Sequence, residues 1–85
     1  MGHLSQEDLD KKLLDASRKV EMGWVYRHYK SIDQLYVIEA LALLEETQEV
    51  CVIYRALYGK KIRWVRTLEN FLEKIGKGSR FTKVS

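Results

Sequence analysis

Every aromatic ring of this chain lies beyond residue 23: Trp24, Tyr26, Tyr29, Tyr36, Tyr54, Tyr58, Trp64, Phe71 and Phe81. A packed ring buries about 150–250 Å². A chain of 85 residues has little surface to spare, since a domain of this size buries only roughly 60–65% of what its unfolded chain exposes. The core must therefore be assembled from the last three quarters of the sequence. Residues 1–20 read as a helical extension and residues 21–85 as the domain proper.

A balance of 46% hydrophobic and 32% charged residues belongs to a folded domain rather than a disordered one. Charge-free runs such as Gln34 to Ile38 fall far short of the roughly 20 apolar residues that cross a bilayer, and no charged start followed by an apolar stretch marks a secretory signal. No membrane partner is expected. Cys51 is the only cysteine, so it makes no internal disulfide and cannot build a metal site alone; a reducing, cytoplasmic setting is the expectation.

Ser5-Gln6-Glu7-Asp8 reads as a helix start, with the serine oxygen available to the free amides of the first turn. Acids at Glu7, Asp8 and Asp10 suit the positive end of the helix dipole, and Arg18 and Lys19 the negative end. Leu9, Leu13, Leu14 and Ala16 form a narrow apolar stripe, which predicts a helix over about residues 6–18. His3, beside Met1 and Gly2, is given no role.

Residues 20–30 turn aromatic and β-branched, which predicts a strand. Met22, Trp24, Tyr26 and His28 would share one face, and Val25, Arg27 and Tyr29 the other. Ser31 to Gln34 reads as a turn. Leu35 to Leu44 leaves helix and strand both open, because Leu35, Ile38, Leu41 and Leu44 recur every three residues while the segment also suits a doubly buried strand. Val50-Cys51-Val52-Ile53-Tyr54 is a strand by composition, after a turn at Glu45 to Gln48. Gly59-Lys60-Lys61 separates it from the alternating Ile62 to Arg66. Leu68, Phe71, Leu72 and Ile75 then predict a short helix near 68–75 closed by Gly76. A loop over Gly76 to Ser79 leads to a last strand at Arg80 to Val84.

Charge is segregated along the chain. From Ser31 to Tyr54 there are five acids (Asp33, Glu39, Glu45, Glu46, Glu49) and no base; from Arg55 to Arg66 there are five bases (Arg55, Lys60, Lys61, Arg63, Arg66) and no acid. Either the two sets pair across neighbouring strands or the bases form a surface that attracts anions.

Taken together, Trp24 to Lys30, Leu35-Tyr36-Val37, Val52 to Gly59, Trp64-Val65-Arg66, Leu68-Glu69-Asn70-Phe71 and Arg80-Phe81 resemble a bacterial family of small domains, domain of unknown function 1653, over roughly residues 22–84. The resemblance implies a mainly β fold, a small SH3-like five-stranded barrel, in which residues 35–44 are a strand paired with residues 49–58. Thr67 departs from the family's proline at that position, and the first helix lies outside the match. No activity comes with the resemblance.

The residues themselves point away from catalysis. Cys51 sits in an apolar run, where cysteine behaves as a small hydrophobe, and two histidines with one cysteine do not make a metal set. No cofactor is expected, and no phosphate-binding glycine motif occurs. Binding is the expected class. Tyr26, Arg27, His28, Tyr29 and Lys30, then Arg55, Tyr58, Lys60 and Lys61, then Arg63 and Arg66 interleave rings with bases. In a small barrel such residues would line a groove for a protein or peptide. The alternative is a face for single-stranded nucleic acid, rings stacking on bases and cations following phosphates. Self-association through Leu9, Leu13 and Leu14 is a third partner mode, set against packing of that stripe on its own domain.

Overall fold

The computed structural model describes residues 4–84, so Met1, Gly2, His3 and Ser85 lie outside it. The first helix, α1 (Gln6–Ser17), is capped as its sequence predicts, the Ser5 hydroxyl accepting from the Asp8 amide at 3.1 Å. Its docking is polar as well as apolar. Lys12 Nζ donates to the Gln48 carbonyl (2.6 Å) and the Leu4 amide to Gln48 Oε1 (3.1 Å), while Ala16 is buried.

Seven strands follow: β1 (Val25–His28), β2 (Ser31–Leu43), β3 (Val50–Ala56), β4 (Arg63–Thr67), β5 (Lys74–Ile75), β6 (Gly78–Ser79) and β7 (Phe81–Lys83), with a one-turn helix α2 (Leu68–Phe71) after β4. Five of them form one antiparallel sheet in the order β4-β3-β2-β1-β7, and β5 pairs with β6 in a small hairpin. The segment left open between helix and strand is the long strand β2, as the family resemblance implies. The sheet is not closed: β4 and β7 are its two edges and do not pair with each other.

Several local readings are corrected. Ser31 to Gln34 is not a turn but the start of β2. The chain reverses one step earlier, at Tyr29-Lys30, where His28 pairs with Ser31 and the His28 Nδ1 accepts from the Lys30 amide at 3.2 Å. The side chain supplies the turn's acceptor, so none of the usual turn residues is needed. The helix expected near 68–75 stops at Phe71. Arg80 takes the Asn70 carbonyl through Nε (3.1 Å) and the Glu73 carbonyl through its amide (2.9 Å), drawing the chain off the helix path. Gly76, at φ +60, is then the bend between β5 and β6 rather than a helix cap. The strand read over residues 20–30 is also shorter, because Gly23 (φ +82) breaks the run ahead of Val25.

The core consists of Val20, Tyr26, Ile38, Val52, Tyr54, Phe71 and Phe81, with Tyr36, Leu41 and Leu68 packed against it. As the distribution of rings requires, it lies almost wholly beyond residue 20. Trp24 and Trp64, however, stay 41% and 50% exposed. No helix among the described residues is long and apolar enough to cross a membrane.

Candidate functional site

Strand register decides which side chains meet. Tyr54 pairs with Trp64 and Val52 with Arg66, whereas Arg55 pairs with Arg63. Side chains directly opposite share a face and successive ones alternate. Tyr54, Trp64 and Arg66 therefore lie on the core side, and Arg55 and Arg63 on the other. A bulge between Ile38 and Ala40 adds Glu39 on that second side, where it takes both guanidinium groups: Arg55 Nε at 2.7 Å and Arg63 Nε at 2.6 Å. These two hydrogen bonds hold the Glu39 carboxyl below its usual range.

On the core side, between the β1–β2 turn and β4, lies a depression of about 260 Å³. Tyr54 and Phe81, both buried, form its base together with Tyr36, and the three rings meet edge to face at 5.3–5.9 Å. Trp64 and Arg66 contribute from β4, and His28, Lys30, Ser31 and Gln34 from the turn and its flanks. Arg66 is held in place by donating Nε to the Tyr54 hydroxyl (2.8 Å) and Nη1 to Asn70 Oδ1 (2.5 Å). Its guanidinium carbon lies 5.6 Å from the centre of the Phe81 ring.

His28 is set edge-on to Phe81 at 5.0 Å. Burial first, then the positive charges of Arg66, Arg80 and Lys30, keep its imidazole below the ordinary 6.5. The neutral ring accepts at Nδ1, so its proton is on Nε2, a buried atom with no hydrogen-bond partner among the described residues. A second depression, of about 240 Å³, opens on the other side of Trp64 and is walled by Ala56, Tyr58, Lys60 and Ile62. Tyr58 and Tyr36 join the two through a hydroxyl–hydroxyl contact of 2.6 Å. Burial and that contact push the Tyr36 phenol up to about 12.

The chain matches, over residues 24–83, the family model described as a protein of unknown function, DUF1653. The chain belongs to the DUF1653 family. Its fold is similar to the crystal structure of a DUF1653 protein from Bordetella bronchiseptica, with a TM-score of 0.65 at 36% identity over 79% of this chain and 90% of that one. No curated protein matches it. Thr67 has a local role here: it caps α2, its hydroxyl accepting from the Asn70 amide at 3.2 Å.

Within this DUF1653 domain the residues singled out from the sequence are divided. His28, Lys30 and Arg66 line the first depression, and Tyr58 and Lys60 the second. Tyr29 is exposed at the turn with Lys30 over its ring at 5.8 Å, and Lys61 is exposed beside Gly59 and Lys60. Tyr26 lines neither depression. It is buried edge-on against Phe71, its hydroxyl accepting from the Glu21 amide. Arg27, opposite Leu35 and Thr82, is turned away from Tyr26 and His28, and Arg55 and Arg63 are taken by Glu39. The interleaving of rings and bases in the sequence thus separates onto two faces, because a strand has a period of two. Tyr36, Tyr54, Trp64, Phe81, Ser31 and Gln34 line the first depression but were absent from the sequence-based set. Alternation from the buried Ile38 would have found Tyr36; Ser31 and Gln34 depend on the position of the turn, and Tyr54, Trp64 and Phe81 on strand pairing.

Proposed function

We propose that this domain is a non-catalytic peptide-binding module whose groove crosses Trp64. One observation carries the reading: a half-exposed indole is the shared wall between two aromatic-lined depressions. Such a ridge offers an extended segment two pockets for successive side chains. Large exposed aromatics of this kind are the usual anchors of a binding surface. Neither depression brings a carboxylate or thiol beside His28, which is why no catalytic step is part of the reading. We also read the open sheet as an SH3-like barrel left unclosed. Its edges β4 and β7 approach through Arg66 and Phe81 without pairing. A cytoplasmic setting suits the unpaired Cys51.

A single-stranded nucleic acid has less support. Of the bases that would follow its phosphates, Arg55 and Arg63 are occupied by Glu39, and Arg27 points away from the rings. Self-association through the first helix rests on Leu14, which is 54% exposed, while Leu9 and Leu13 face Leu43 of their own sheet.

The test is a peptide array probed with the whole chain and with Trp64→Ala, followed by amide shift mapping of any peptide bound. The reading expects shifts at His28, Tyr36, Tyr58 and Trp64, with binding lost in the variant. Peptides bound equally by both proteins, or none bound at all, would sink it.

A further inference from the structure

The first depression is rich in donors and poor in acceptors of matching charge. His28, Lys30 and Arg66 line it, and no Asp or Glu does. Arg18, Arg55, Arg63 and Arg80 each meet a carboxylate; of the other two arginines, Arg27 and Arg66, only Arg66 lines the depression. Arg66 has only two neutral oxygens, Tyr54 Oη and Asn70 Oδ1. Those two bonds engage Nε and Nη1, so Nη2 has no partner among the described residues. The His28 ring lines the same wall, its unpartnered Nε2 closed off from solvent. A half-buried cation without a counter-ion is costly unless something supplies the missing charge. A guanidinium fork is the group best matched to a planar carboxylate.

Size narrows the choice. At about 260 Å³ the depression falls below the roughly 300–1,000 Å³ of sites that enclose drug-sized ligands. That volume suits one side chain or chain end resting on the Tyr36, Tyr54 and Phe81 rings. We propose that this depression takes a carboxylate of the bound peptide, an acidic side chain or a free C-terminus, held by Arg66 and Lys30 beside the His28 ring. The inference rests on the peptide-binding reading above and names the group that one end of the groove selects.

Two matched pairs of small probes test it by amide shift titration of the whole chain. N-acetyltryptophan against N-acetyltryptophanamide reports a chain-end carboxylate; N-acetylglutamate α-amide against N-acetylglutamine amide reports a side-chain one. The carboxylate member of at least one pair is expected to bind roughly tenfold or more tighter than its amide, moving His28, Lys30 and Arg66. Whichever pair shows the difference identifies the source. Arg66→Gln should abolish the preference. Because that variant also frees Tyr54 and Asn70, Lys30→Gln at the exposed turn provides the independent check, with the preference falling roughly two- to fivefold.

Equal binding within both pairs overturns the carboxylate site yet leaves Trp64-dependent peptide binding intact. Peptide binding that ignores Trp64 removes the groove itself. A single-stranded oligonucleotide that displaces the probes and binds more tightly than either carboxylate would also overturn the inference.

Discussion

Phe71 and Phe81 stack face to face, their ring centres 4.2 Å apart and their planes 8° from parallel. The contact joins the single turn of α2 to the edge strand β7, and both rings are buried. Replacing a buried phenylalanine by alanine costs about 3–5 kcal/mol, a large part of the roughly 5–15 kcal/mol that holds a domain together. Urea unfolding of Phe71→Ala should therefore show a midpoint far below that of the parent, with Phe71→Leu between them. A loss under about 1 kcal/mol would mean that this stack is not central to the core.

Glu39 should make the fold acid-sensitive. Its carboxyl is held below the ordinary 4.5 by hydrogen bonds from Arg55 and Arg63. The folded state therefore favours the charged form, and its contribution is fully present above 4.5 and lost as pH falls through the lower folded value. Thermal melts from pH 7 down to pH 3 should show a steeper loss for the parent than for Glu39→Gln. Parallel profiles would count against the pairing.

The proton equilibrium of His28 is the direct reading of the cationic wall. Burial and the charges of Arg66, Arg80 and Lys30 all favour the neutral ring. Its titration by imidazole resonances should have a midpoint below 6.5 and move upward in Arg66→Gln. Stability from this group is present above 6.5 and falls as the ring is forced to charge at lower pH. A midpoint above 6.5 would mean that an acid stands near His28 in solution.

Thr67 is expected to be worth a cap. Thr67→Ala should cost about 1 kcal/mol, since the hydroxyl is the acceptor for the first turn of α2. Thr67→Pro restores the residue that the family resemblance associates with this position, and the native φ of −63° already suits the pyrrolidine ring. Its melting temperature should then lie close to that of Thr67→Ala. A collapse of the fold in the proline variant would show that more than the cap is at stake.

How much of this was legible beforehand depended on whether local chemistry or distant contacts decided the matter. Ser5, Gly59 and the β-branched run from Val50 to Tyr54 carry their structure in their own residue types, and they were read correctly. The turn at Tyr29-Lys30 depends on a histidine accepting from the backbone, which no turn rule anticipates. The end of α2 depends on Arg80, ten residues from the Asn70 carbonyl it takes. The site suffered most. A contiguous run such as Arg63 to Arg66 looks like a single basic surface until the pleat sends Arg63 to Glu39 and Arg66 to Tyr54.

The half-exposed ring of Trp64 has a practical consequence. The chain holds only one other indole, and Trp24 lies beneath the Lys83 ammonium at 4.1 Å, away from both depressions. Intrinsic emission from the unlabelled protein therefore divides into a distant background and a signal from the ridge between the depressions. In Trp24→Phe, occupancy of either depression is read as light, with no tag attached.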